Sequence, residues 1–118
     1  MSYLERKNPS YTATIAVNLY ASSIINIEAY GGGMGLAFDS AFDGTEISYK
    51  VPLNDLDYTN SAYFAVFKDT TGTLITQVVA ANECTYADPR VMVFPYIIIV
   101  ATTQQTTSAS VIICFPLS

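Results

Sequence analysis

The stretch "RVMVFPYIIIVATTQQTTSASVIICF", residues 90–115, holds most of the chain's hydrophobicity and sets the terms on which it can fold. Its longest apolar run, Val91 to Ala101, is 11 residues long and is interrupted by Pro95. A membrane-spanning helix needs about 20 residues. The run is rich in Val, Ile, Tyr and Phe, which favour pleated, buried backbone, so it is expected as a strand. A second apolar strand, 109–115, follows the polar "TTQQTTSA". Neither alternates clearly, as expected of segments covered on both faces. Each belongs at the centre of a sandwich or at a subunit interface, because a long uncharged apolar strand on an open edge aggregates. Pro95 and Pro116 stand where gatekeeper residues would.

The rest of the chain reads as short segments of period two. Over 11–20, Ile15, Val17 and Leu19 share one face, with Thr12, Thr14 and Asn18 on the other. Over 23–29, Ile25, Ile27 and Ala29 alternate with Asn26 and Glu28. A strand at 36–42 leads to Asp43-Gly44 as a turn, and 46–51 sets Ile47, Tyr49 and Val51 against Glu46, Ser48 and Lys50. Pro52 ends that strand or marks an edge. Strands at 62–68 and 73–80 flank "DTTG", where Gly72 is expected in a left-handed conformation. "LNDLDYTNS" and "NECTYADPR" read as loops, and no stretch carries a 3.6-residue stripe. Eight short strands predict an all-β fold, a single two-sheet β-sandwich or jelly roll. With 118 residues there is room for one domain. Residues 1–10 are expected as an N-terminal arm and 11–118 as the sandwich.

Charged residues make up 13% of the chain, against a usual share of about 25%. Ten acids against five bases give a net charge of −5, which repels nucleic-acid phosphates. Thr, Ser, Asn, Gln and nine Tyr must cover the surface in place of charge, a composition closer to protein–protein contacts than to a free solvent face. No apolar segment follows the charges of "MSYLERKNPSY", so no signal peptide is expected.

Catalytic chemistry is thinly represented. Histidine is absent, which removes Ser-His-Asp and Cys-His catalysis and His-based zinc sites. Cys84 and Cys114 form no C-x-x-C motif. Cys114 reads as a small buried hydrophobe and Cys84 as a loop residue, with a disulfide between them left open. Asp39, Asp43 and Glu46 lie close in sequence, as do Asp55 and Asp57. A carboxylate pair catalyses only at a defined separation, and acids at turns are more simply solvated loop residues. Read as a calcium loop from Asp39, the pattern fails at Ala41 and Lys50, leaving only a loose oxygen site at Asp55 and Asp57 open. "YGGGMG" lacks the G-K-[ST] of a phosphate loop. "TTQQTTSAS" reads as a solvated hairpin loop, or alternatively as a tip presented outward. No catalytic residue, cofactor or metal is expected.

The segments "LAFDSAFDGTEISYKVPL", "YFAVFKDTTGTLIT", "ADPRVMVFPYIIIVAT" and "TTSASVIICF" together resemble small β-sandwich proteins of tailed-bacteriophage virions. The resemblance covers roughly residues 34 to 115, with Ala41 and Phe42 inserted between Ser40 and Asp43. It implies a capsid decoration (cement) protein on the capsid exterior, assembled in the host cytoplasm and bound to the major capsid protein. A head-fibre, neck or tail component is the alternative within that family. The apolar strands add an expectation of self-association, a homotrimer first and a dimer otherwise. Candidate interface residues are Tyr3, Leu4, Arg6 and Lys7 in the arm, which could cross to a neighbour or simply fray, and Tyr96 and Ile98 in the apolar run. The competing reading is a carbohydrate-binding jelly roll with Tyr rings stacked on sugars. No nucleic acid or membrane partner is expected.

Overall fold

The computed structural model describes residues 11–30, 33–54 and 57–114. Among them are nine strands: β1 (Tyr11–Ile15), β2 (Ile25–Asn26), β3 (Gly35–Phe38), β4 (Glu46–Pro52), β5 (Phe64–Val66), β6 (Thr76–Val78), β7 (Cys84–Tyr86), β8 (Tyr96–Ala101) and β9 (Ala109–Cys114). Short 3-10 turns cover Glu28–Tyr30, Ser61–Tyr63 and Pro89–Val93, and no α-helix occurs among the described residues.

The strands pair as one long hairpin folded on itself. β1 pairs with β9, β2 with β8, β3 with β7, and β4 with both β5 and β6, all antiparallel. β5 lies along Lys50–Pro52 and β6 along Glu46–Ser48, so the two share one edge position. The hairpin is then rolled. β9 also pairs with β3, and β8 with β4, giving sheets of order β1-β9-β3-β7 and β2-β8-β4-β5, with β6 beside β5 on β4. Strands consecutive in the chain change sheet except along β4–β5–β6. This is jelly-roll wiring.

The core lies between the sheets and follows the pleat. Ala13 and Ile15 of β1, Leu36 and Phe38 of β3, and Val111 and Ile113 of β9 face Ile47 and Tyr49 of β4 and Ile97 and Ile99 of β8 in one buried cluster. The wiring resolves the hazard of the apolar runs. β8 sits between β2 and β4, and β9 between β1 and β3, so neither presents an open edge.

Three local readings of the sequence are corrected. The 11–20 strand stops at Ile15, where its register partner Ala109 begins β9, and Asn18 turns the chain with φ 67°. Val17 and Leu19, expected on the core face, are exposed, Leu19 at 51%. Part of "NECTYADPR" is strand, because Cys84–Tyr86 pairs with Gly35–Ala37. Val91–Val93, expected to open the long strand, lies in a 3-10 turn: the Asp88 carboxylate accepts from Arg90 N at 3.0 Å and Pro89 takes the first turn position. The turn at Gly72 forms as expected, with φ 83°.

Ile99→Ala should cost about 2–5 kcal/mol, as removal of a fully buried branched side chain from a packed core does. Leu19→Ala should change stability by no more than about 0.5 kcal/mol, as at exposed sites. Urea denaturation compares the two; equal losses would mean that 11–20 packs as one strand.

Candidate interaction face

The pleat leaves nine outward positions on the β1-β9-β3-β7 sheet: Thr12 and Thr14, Ser110, Ile112 and Cys114, Gly35 and Ala37, Cys84 and Tyr86. The registers place Thr12, Ile112, Ala37 and Cys84 in one row across all four strands. Gly35 stands between Cys114 and Tyr86 in the next row. None of the nine carries charge, although the chain's net charge is −5. Ile112 is 40% exposed and Tyr86 76%. Asp39 continues the row of Thr14 and Ser110 where β3 ends, its N–H donating to Ser110 O at 3.1 Å, so a half-buried carboxylate borders these positions; Glu83 precedes Cys84.

The outer face of the second sheet differs. Glu46, Ser48 and Lys50 line β4 there, and Tyr96, Ile98 and Val100 line β8. The loop after β4 returns onto this face: Leu53 N donates to Tyr63 O at 2.8 Å, and the Tyr58 ring stacks on Tyr96 with centroids 4.5 Å apart. Ile98 is only 2% exposed although it faces outward, and Phe64 is buried too. Of the interface candidates, Tyr96 is thus stacked within its own chain and Ile98 presents almost no surface. Tyr3, Leu4, Arg6 and Lys7 lie outside the described residues.

The carboxylates singled out in the sequence hold loops. Asp39 accepts from Ser110 N at 3.0 Å with one oxygen and from Ala41 N at 3.0 Å with the other. Asp43 accepts from both the N–H and the hydroxyl of Thr106 at 2.8 Å. Asp57 does the same with Thr59, and Asp69 with Thr71. The recurring element is an Asx turn, an Asp or Asn oxygen bound to the N–H two residues on, seen also at Asn26, Asn60 and Asp88. Asp55 lies outside the described residues. Among the described residues, no three acidic or thiol groups gather where a metal ion could be held. Cys84 and Cys114 are free thiols on the outer face, with β3 between their strands.

"TTQQTTSAS" is not a hairpin loop, because β8 and β9 belong to different sheets. It crosses the end of the sandwich and carries Gln105 inward to complete burial. The Gln105 amide accepts from Asp43 N at 2.8 Å and donates to Asp43 O at 3.0 Å and Thr103 O at 2.9 Å. Its backbone accepts from Asn18 N and donates to Leu19 O, tying three loops into one knot. Gly44 lies inside this knot with φ +106°, and a Cβ there would meet the Thr103 hydroxyl at 2.8 Å. Gln77 makes a similar clasp between the sheets. It accepts from the Tyr49 hydroxyl at 2.6 Å and from Asp88 N at 3.1 Å, and donates to the carbonyl of Tyr86. Burial raises the Tyr49 phenol pKa, so it stays neutral and acts as a donor.

A cleft of about 140 Å³ between β6 and β7, bordered by Phe38, Val78, Glu83 and Cys84, is smaller than the roughly 300–1,000 Å³ of ligand pockets. On the outer face of the β1-β9-β3-β7 sheet, Thr12, Thr14, Cys84, Tyr86 and Ile112 are exposed. No family model, curated protein or solved structure matches this chain. Sequence reasoning missed the face because "VIIC" gave no alternation to show that Ile112 points out while Val111 and Ile113 point in.

Gln105→Ala should destabilise the fold by about 1–3 kcal/mol by leaving buried polar groups unpaired, whereas Gln104→Ala, at an exposed neighbour, should stay within about 0.5 kcal/mol. Urea titrations of both variants check this contrast.

Acid should weaken the fold in a defined window. Backbone and hydroxyl donors of Thr106 hold Asp43 below the ordinary 3.8, the Thr59 and Thr71 hydroxyls lead the same effect at Asp57 and Asp69, and the Arg90 guanidinium leads it at Asp88. In that range the unfolded chain binds more protons than the folded one. The contribution is complete above about pH 4 and is lost as pH falls through the depressed values. Melting temperature should hold from about pH 7 to 5 and fall below about 4; a flat profile down to about pH 2 would show the turns to be energetically silent.

Proposed function

We propose that this chain is a non-enzymatic structural subunit of a virion, of the capsid-decorating kind, which attaches to the major capsid protein and self-associates on the shell. The observation that carries the reading is the outer face of the β1-β9-β3-β7 sheet, whose nine outward strand positions carry no charged side chain, with Asp39 at their border. A free solvent face on a chain this acidic would be expected to carry charge, and contact surfaces are the places where Lys, Glu and Asp are depleted. The jelly-roll frame fits the role, since shells and lectins both use it. The resemblance of residues 34 to 115 to tailed-phage virion proteins points to the shell. Carboxylates that bind their own loops leave few groups for acid–base work.

A carbohydrate-binding module needs a groove in which rings and hydroxyl partners converge, and the cleft at Cys84 is too small to be one. Particles produced from a genome encoding this chain should carry it at tens to hundreds of copies after density-gradient purification, counted by quantitative mass spectrometry. Particles without the chain, or with a single copy, would overturn the decorating role.

A further inference from the structure

We infer that the Gln77 side chain is a latch holding the two sheets together at their β6 and β7 edges, and that this seam is where the sandwich opens first. The inference stands apart from the proposed function and concerns how the fold is kept shut.

An amide stands where the pleat calls for an apolar side chain. Along 75–79, Ile75 and Val79 are buried, Thr76 and Val78 are exposed, and Gln77 is half-buried between the two buried residues. An inward amide costs free energy unless it is bonded, and Gln77 is bonded to both sheets. On its own sheet it accepts from the Tyr49 hydroxyl of β4 at 2.6 Å. Across the seam it donates to the Tyr86 carbonyl and, at 3.4 Å, to the Thr85 hydroxyl, and it accepts from Asp88 N at 3.1 Å.

The Tyr86 carbonyl and the Asp88 N–H are groups that the ladder to β3 leaves open. Phe38 N donates to Glu83 O and Ala87 N to Met34 O, both at 3.0 Å, so by alternation the backbone of residues 83, 85 and 87 faces β3. Tyr86 O and Asp88 N, on either side of Ala87, therefore face away from it. A neighbouring parallel strand would bond this pair through the N–H and C=O of one residue. The Gln77 amide makes the same two bonds from a side chain, standing in for a strand that the sheet lacks at this edge.

Little else holds the seam. β6 and β7 have three residues each, and each is paired with one strand only, β6 with β4 and β7 with β3. Cys84 and Tyr86 are exposed, and no side chain of β7 joins the buried core cluster. The cleft of about 140 Å³ lies in the same seam and reaches Phe38 and Val79, so apolar packing between the two edges is incomplete there. β8 and β9, by contrast, have six residues each and a paired neighbour on both sides. Local opening is easiest where buried contacts and ladder bonds are fewest.

Amide hydrogen exchange on the full-length protein, read by NMR in rising urea below the unfolding transition, tests this. The Asp88 and Ala87 amides should be protected, yet exchange at least tenfold faster than those of Val111 and Ile113 and with a weaker dependence on urea. Gln77→Met, which keeps the side-chain length and removes the amide, should speed Asp88 and Ala87 at least tenfold. Tyr49→Phe, which removes one latch bond and keeps the ring in the core, should act in the same direction and decides the matter if Gln77→Met does not fold. Ile15→Val, on β1 at the opposite edge of the sheet, should speed Val111 and Ile113 severalfold and leave Asp88 and Ala87 unchanged. Asp88 exchanging as fast as a free amide would overturn the latch, as would a Gln77→Met or Tyr49→Phe effect confined to Asp88 or absent. Exchange of all four amides together, in the wild type or in Ile15→Val, would show that the seam opens only with the whole fold.

Discussion

Everything in this molecule is arranged around two strands that cannot be left uncovered. β8 and β9 carry the longest apolar runs, and each needs neighbours on both edges and cover on its inner face. The rolled hairpin meets both demands. It lays β8 between β2 and β4, lays β9 between β1 and β3, and turns their inward residues toward each other across the core. Edge positions fall to short strands: three residues each in β5, β6 and β7, two in β2 and five in β1. Short edges give a neighbouring chain little to pair with. The apolar content is thereby moved from a liability at edges to a stabilising term in the core.

A wiring in which most connections cross between sheets needs its loops tied, because each crossing exposes backbone groups at the end of the sandwich. Asp and Asn side chains do much of this by capping N–H groups two residues ahead, and Gln105 joins three loops through one buried amide. The consequence reaches the surface. Asp43, Asp57, Asp69 and Asp88 are held in turns, and the nine outward strand positions of the four-stranded sheet are left with hydroxyl, thiol, methyl and ring groups. Loop chemistry and the uncharged face are two aspects of one allocation of charge.

Much of the fold was legible. Alternation at Ile47, Tyr49 and Val51, and the turns at Gly44 and Gly72, are local signals that the structure keeps. The misses have a common cause. Val17 and Leu19 continue a perfect alternation, yet the strand ends at Ile15 because its partner runs out, which is a fact about Ala109 and not about either residue. Cys84–Tyr86 is too short and too closely flanked by turn residues to read as a strand, and it is one because Gly35–Ala37 lies beside it. The Asp88-Pro89 start of a helical turn was a readable cap signal, obscured by the apolar residues that follow it.

Sequence by itself determined the class of this protein. Period-two runs, β-branched residues and Gly turns act through neighbours in the chain, so an all-β sandwich with no histidine chemistry could be read directly. Tertiary structure alone decided which side of a uniform stretch faces in. Gln104 and Gln105 are identical side chains one position apart, and one is exposed while the other is sealed at the centre of a loop knot. Val111, Ile112 and Ile113 are similarly apolar, and only pairing with β1 and β3 turns Ile112 to the outer face. The reason is physical: burial depends on what arrives from elsewhere in the chain, and neither residue type nor spacing records that.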